Sequence, residues 1–285
     1  MKEVPVFMKK TPKLLILAGT VLAFLFLFGI IFYNNFIKKS IYEENSQHLL
    51  STYEQVDKTF TMFVQHNWNA LSDWSNNLQY LDDAENMKTL WYDFARRKDA
   101  WQYQDFYMFN ENCDFITAAG RDGNAPNIQG IFLDMYKTGQ PVISSYIASD
   151  SNRRIVFALP MDVPYTINGI TYSGLAVSYN NDVVEKLIAG NIYQGQSDCY
   201  ILTSDGNVLL SLEPKTEFLQ KISNLFDFLN KYTNMTETEI TDLKKNIKNV
   251  STGSLQCRYN KKTYYLVYEP TGINDWTIVG IIHND

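Results

Sequence analysis

The chain has 285 residues and a mass of 33.0 kDa, room for one membrane segment and one or two domains with cores of their own. Hydrophobic residues make up 45% and charged ones 20%, a globular balance that argues against a disordered, collagenous or nucleic-acid-wrapping chain. Four of the 25 Lys and Arg and one of the 31 Asp and Glu fall in the first 35 residues, so the remainder carries 21 basic against 30 acidic side chains, a poor surface for nucleic-acid phosphates.

Between Lys13 and Lys38 no residue is charged. At 1.5 Å per residue, about 20 residues cross a hydrocarbon core of roughly 30 Å, so residues 14–36 are expected to span a membrane once and to contact its lipid. The run is longer than a signal-peptide core and is followed by Tyr33-Asn34-Asn35-Phe36 instead of a small-residue cleavage site; it reads as an uncleaved anchor. Lys2, Lys9, Lys10 and Lys13 precede it, against Lys38 and Lys39 after it. The positive-inside bias then places residues 1–13 in the cytoplasm and everything after about residue 37 outside the cell.

Residues 40–78 contain neither Pro nor Gly. Leu49, Tyr53, Val56, Phe60 and Phe63, then Leu71, Trp74 and Leu78, make one stripe of a long helix. Only about two heptads are clean, which is short of a free coiled-coil stalk. The stripe is therefore expected to pack on the chain itself, with a modest contact to a second copy giving a homodimer through this helix. A second helix is expected over 83–99, with Met87, Leu90, Trp91 and Phe94 on one face.

Beyond it the period shifts to two. Residues 103–109, 114–118, 141–148, 154–161 and 170–179 read as strands, with a short helix over 130–138 and a helical connection over 182–190. The plan then recurs. Strands over 199–202 and 208–212 flank the hairpin turn Ser204-Asp205-Gly206-Asn207. Helices follow over 217–232 and 236–250, the second opened by Thr236-Glu237-Thr238-Glu239. Strands over 253–259, 263–269 and 276–283 close the chain. Tyr107-Met108-Phe109 and Tyr200-Ile201-Leu202, 93 residues apart, bring the two first hairpins into register. Two tandem α/β modules are expected.

Catalytic chemistry has little to stand on. His48, His66 and His283 are isolated, and there is no His-Glu-x-x-His, Gly-x-Ser-x-Gly or phosphate-loop pattern. Cys113, Cys199 and Cys257 are too scattered for a zinc site with paired spacing and allow at most one bridge. No catalytic residue, metal ligand or cofactor is expected, and no enzyme. A binding site has more support. Strand alternation places Tyr103, Asp105 and Tyr107 on one face, aromatic and polar at once. Trp101 at the start of the strand, Tyr146 on a neighbouring strand, and Arg121 and Arg154 as anion clamps complete the expected ligand pocket. Taken singly, each of these residues has ordinary packing or a surface ion pair as its alternative role.

The order of elements, together with Tyr103-Gln104-Asp105-Phe106-Tyr107, Phe157-Ala158-Leu159-Pro160, Gly169-Ile170-Thr171-Tyr172, Leu175-Ala176-Val177-Ser178-Tyr179, Met235-Thr236-Glu237-Thr238-Glu239-Ile240, Tyr264-Tyr265-Leu266-Val267-Tyr268-Glu269 and Asp275-Trp276, resembles the extracytoplasmic double-Cache sensor region of bacterial membrane receptors. Such regions precede GGDEF diguanylate cyclase, EAL phosphodiesterase or hybrid histidine-kinase outputs. The resemblance covers about residues 14–285. It implies an α+β fold: a transmembrane helix, a long helix over 40–78, and two tandem five-stranded PAS-like modules with antiparallel sheets. Residues 79–180 would be the membrane-distal module and 181–285 the membrane-proximal one, the distal module holding the ligand. Relatives continue into another transmembrane helix and a cytoplasmic output, which is expected beyond Asp285 or on another chain. The amino-acid signature of the family, an Arg two residues before a Trp-Tyr pair, is not matched: Arg97 lies four before Trp101, and Gln102 follows. The resemblance thus implies a receptor for a small extracellular solute in the bacterial cell membrane, without carrying amino-acid sensing along. The alternatives are a membrane-anchored surface interaction module that sends no signal and, behind it, an anchored hydrolase.

Overall fold

The computed structural model describes residues 11–78, 80, 92, 95–98, 100–125, 129–148, 150, 152–189, 197–212 and 222–284. The chain forms two units, Met1–Leu49 and Leu50–Asp285. One helix, α1 (Thr11–Leu78), starts in the first and ends in the second. Its one proline, Pro12, sits in the first turn, where a missing N–H costs no helical bond, and none interrupts the 66 residues that follow. In the first unit its side chains from Val21 to Phe36 are largely exposed, and by length and composition the helix can cross a membrane. The helix expected over 83–99 lies mostly outside the described residues; Tyr92 and residues 95–98 are helical.

The second unit holds two sheets. In the first module β1 (Asp105–Phe109), β2 (Asp114–Thr117), β3 (Asp122–Asn124), β4 (Val142–Ile147), β5 (Arg153–Ile167) and β6 (Ile170–Asn180) form a six-stranded sheet of order β3-β2-β1-β6-β5-β4, all pairs antiparallel. The expectation of five strands is corrected by β3. Its three residues are all exposed and polar or Gly, so no alternation announces it. One helix, α2 (Gln129–Thr138), lies between β3 and β4. Strand β5 runs six residues past the expected end, because a register shift between Pro160 and Tyr165 absorbs the proline and pairing with β6 resumes to Ile167.

A short helix, α3 (Asn181–Ala189), follows β6 directly and ties the modules together. Asn181 Nδ2 donates to the Leu209 carbonyl at 2.8 Å, and Glu185 Oε1 accepts from the Ser211 N–H at 3.1 Å. Burial pushes the Glu185 carboxyl above its usual range. The second module comprises β7 (Ser197–Leu202), β8 (Val208–Leu212), α4 (Leu225–Tyr232), α5 (Glu237–Lys248), β9 (Gly253–Tyr259), β10 (Lys262–Pro270) and β11 (Thr277–Asn284), with sheet order β8-β7-β11-β10-β9. Set β3 aside and the two orders coincide, β1 matching β7, as the offset of the two Tyr-led triplets requires. Thr236 opens α5 with a capping box, its hydroxyl accepting from the Glu239 N–H while Glu239 Oε2 accepts from the Thr236 N–H at 2.7 Å. The first part of the helix expected over 217–232 lies outside the described residues, and α4 begins at its Asn224 cap.

Alternation assigns each sheet two faces. On one, Phe106, Phe157 and Tyr179 meet α1: Trp74 packs edge-on against Phe106 at 4.5 Å, and Phe63 against Phe157 at 5.5 Å and Tyr179 at 5.3 Å. Further along, Phe60 stacks on Trp276 at 6.0 Å and the Tyr53 ring lies over Gly280. Within this unit the buried stripe of α1 is Tyr53, Val56, Phe60, Val64, Asn67, Leu71, Trp74 and Leu78. Phe63 flanks it half-buried, and Asn67 belongs to it because it accepts a hydrogen bond from the Tyr179 hydroxyl at 2.8 Å. On the opposite faces, α2 covers Tyr107, Phe109, Val156, Ala158 and Ala176, whereas α4 and α5 cover Tyr200, Leu202, Leu266, Tyr268, Val279 and Ile281. Each large side chain buried this way contributes about 1.5–3 kcal/mol. Cys113, Cys199 and Cys257 are buried and unbridged in these layers.

Candidate functional site

On the α2 side of the first sheet a cavity of about 470 Å³ opens beside the helix. Gln104, Asp105, Tyr107, Phe115, Thr117, Arg121, Asp122, Asn124, Ala125, Tyr146, Ala148 and Arg154 line it. Strands β1, β2, β3, β4 and β5 supply the wall, and the registers Tyr107 with Thr117 and Tyr146 with Arg154 bring distant residues face to face.

A chain of ion pairs runs along this wall. Arg121 Nη2 donates to Asp105 Oδ1 at 2.8 Å, Arg154 Nη1 to Asp105 Oδ2 at 3.3 Å, and Arg154 Nη2 to Asp150 Oδ2 at 2.7 Å. Arg154 and Asp105 are mostly buried, with 13% and 19% of their side chains exposed, so their attraction is screened less than that of a surface pair. Two polar atoms on the wall are buried and find no hydrogen-bond partner among the described residues: the Tyr107 hydroxyl and Arg154 Nε. Burial holds the Tyr107 phenol well above its ordinary pKa, and the neighbouring Tyr146 pushes it further the same way. An unpaired buried donor costs about 1–3 kcal/mol, and an oxygen acceptor entering the cavity can relieve it.

Of the residues expected at a ligand pocket, Asp105, Tyr107, Arg121, Tyr146 and Arg154 come together on this wall. Two do not. Trp101 stacks on Trp74 of α1 at 5.6 Å and lies 5.0 Å from the His66 ring. Tyr103 is buried beside Tyr179, again on the α1 side. The physical reason is local. Gln102 adopts φ 57° and the chain bends at Gln104, so β1 and its alternation begin only at Asp105. Gln104 turns to the cavity instead, where its amide oxygen accepts from Asn180 Nδ2 at 3.1 Å. Sequence reading also missed Phe115, Thr117, Asp122 and Asn124. The first two share a face of β2 opposite Tyr107, a signal available once the β1–β2 hairpin is put in register. Among the described residues no group of three His, Cys, Asp or Glu could hold a metal ion.

Several solved sensor domains share this fold. The sensory domain of the Campylobacter jejuni chemoreceptor Tlp3 (CcmL), solved with isoleucine bound, aligns with a TM-score of 0.57 at 11% identity, over 87% of this chain and 95% of that one. The ligand-binding domain of the Pseudomonas aeruginosa PAO1 amino acid chemoreceptor PctB, in complex with L-Arg, gives 0.60 at 13% identity, over 85% and 89%. The extracellular domain assigned to the histidine kinase mmHK1S-Z2 gives 0.59 at 12%, over 85% and 97%. No curated protein sequence matches the chain. The sequence of the Cache domain family (dCache_1), however, matches residues 33–285, a stretch that takes in both sheets and the helix behind them. With paired sheets of one strand order on a single long helix, the chain belongs to the Cache domain family.

Proposed function

We propose that the chain is the extracytoplasmic sensing region of a bacterial membrane receptor, and that the cavity of the first, membrane-distal module takes a small dipolar solute. The observation that carries this reading is the pairing of a 470 Å³ space with the unpartnered Tyr107 hydroxyl and Arg154 Nε on its wall. A solute oxygen accepts from both. A solute ammonium finds Asp105, and a solute carboxylate competes with Asp105 for Arg154. Chemoreceptor domains of the same fold that were solved with isoleucine and with L-Arg support a ligand of this size.

Signalling follows from the two faces of one strand. Asp105 and Tyr107 face the cavity while Phe106 between them packs on Trp74, and on β5 Arg154 faces the cavity while Phe157 packs on Phe63. A solute that binds one arrangement of this wall more tightly than another biases how α1 sits on the sheet. Full switching from 1:99 to 99:1 needs about 5.5 kcal/mol of differential affinity. The helix then carries the change toward residues 14–36 in the lipid and on to a cytoplasmic output. A homodimer formed through α1 would use its outward face, where Gln55, Thr59, Gln65, Asn69 and Asp73 are exposed around a single large apolar side chain, Met62.

The test is a thermal-shift screen of the chain against amino acids, amines, organic acids and sugars. A ligand at 100 times its Kd stabilises by about 2.7 kcal/mol, and Arg154→Ala is expected to abolish the shift. If no compound stabilises the chain at millimolar concentration, solute sensing at this cavity is wrong. A reporter fused after Asp285 that reads as cytoplasmic in a singly spanning chain would overturn the topology.

A further inference from the structure

The contact between α1 and the second sheet contains a buried acidic feature of its own. Tyr53, Val56 and Phe60 bury themselves on the second sheet, and Asp57 sits among them on the same two turns. One of its carboxylate oxygens, Oδ1, is buried and finds no hydrogen-bond partner among the described residues.

Alternation on β10 sends Tyr264, Leu266 and Tyr268 into the core under α4 and α5, which turns Tyr265, Val267 and Glu269 toward α1. Register agrees, since Glu269 pairs with Ile278 and Val267 with Gly280, the residue beneath the Tyr53 ring. Glu269 therefore meets α1 where Asp57 does, and each carboxyl feels Glu54 and Lys58. Glu54 is committed to Lys58 by an exposed ion pair at 2.7 Å, so Lys58 is only a partial counterion to the other two. The further titratable groups on faces turned toward α1 are Tyr265 on β10 and Cys199 on β7, together with Arg258 at the far end of β9.

We propose that Asp57 and Glu269 form a proton-operated clasp between α1 and the second sheet, which tightens when the surroundings acidify and loosens at neutral pH, independently of any solute in the first module. Burial, with Glu54 adding to it, raises the Asp57 carboxyl to about 6, and burial and Asp57 raise Glu269. The sign follows from that direction. A carboxyl whose pKa is higher in the docked than in the undocked helix takes up a proton on docking. Docking therefore strengthens as pH falls from about 6 toward the ordinary value of 3.8, and gains nothing more below it. Protonation removes the repulsion between the two carboxylates and gives the stranded Asp57 oxygen a proton to share.

The experiment is amide hydrogen exchange on the full chain in lipid nanodiscs, corrected for intrinsic rates, at pH 7.5 and at pH 5 without added solute. Amides of residues 53–64 are expected to gain protection on the order of threefold to tenfold at pH 5, the range allowing for solvent screening of a half-exposed group. Asp57→Asn is expected to show the protected state at both pH values. Glu269→Gln is expected to keep the response but move its midpoint to lower pH; it also carries the test should the first variant fail to fold. Wild-type protection that does not change with pH overturns the clasp. So does a response that Asp57→Asn leaves intact, or an unmoved midpoint in Glu269→Gln.

Discussion

The contact between Tyr53 and Gly280 is the sharpest place to test whether α1 is seated on the second sheet as described. A Cβ on Gly280 would lie 1.8 Å from Tyr53 Cε2 and 2.0 Å from Cζ, so Gly280→Ala cannot be accommodated without moving the ring. That ring is 1% exposed, and its hydroxyl donates to the Asp198 carbonyl at 3.3 Å, so it has little room to move. Expelling a buried tyrosine forfeits an area of about 150–200 Å², worth up to about 4–5 kcal/mol at 25 cal/mol per Å². Partial adjustment brings the expected cost to about 2–4 kcal/mol. The assay is urea unfolding of the chain in detergent micelles, followed by tryptophan fluorescence, to which Trp276 beside Phe60 contributes. Tyr53→Ala should cost about 3–4 kcal/mol alone. Adding Gly280→Ala to it should then cost under about 1 kcal/mol, because the clashing ring is gone. Equal effects of Gly280→Ala with and without Tyr53 would refute the contact.

Other substitutions test other parts of the molecule. Val250, just past the Asn249 cap of α5, adopts φ 56°, and the Ser251 N–H donates back to the Asn246 carbonyl at 3.0 Å; Val250→Gly removes a branched side chain from that left-handed backbone and should stabilise by about 1 kcal/mol, read as a raised Tm. Thr236→Ala breaks the capping box of α5 and should destabilise by about 1 kcal/mol in the same measurement. Tyr107→Phe removes a buried hydroxyl without an internal partner, so it should leave the unliganded chain as stable or up to about 1 kcal/mol more stable, while weakening any solute found by the thermal-shift screen. Were Tyr107→Phe destabilising and affinity unchanged, that hydroxyl would belong to the core and not to the site.

Much of this architecture could be read from residue order. The strands β1, β5, β6 and β10 combine period-two alternation with branched and aromatic residues, and Gly206 and Thr236 punctuate the second module at the right places. The double-Cache resemblance agrees with the family match over residues 33–285. What stayed hidden had local causes. Asp122-Gly123-Asn124 pairs with β2 only because tertiary context holds it there. Asn67 looks like a gap in an apolar stripe until Tyr179 supplies its hydrogen bond across the sheet. Trp101 and Tyr103 pointed the wrong way because alternation was extended through a bend that no propensity at Gln102 or Gln104 announces. The ion-pair chain through Asp105 was also beyond reach, since Arg154 meets it by way of sheet order and not sequence spacing.

The thiols have a consequence for how the chain responds to oxidants and reductants. Burial pushes Cys113, Cys199 and Cys257 above the usual thiol range, Cys257 to about 12, so almost no thiolate is available for exchange at neutral pH. With no bridge to form, folding requires no oxidant and a reductant has nothing to break. The chain's Tm should therefore be the same with and without dithiothreitol.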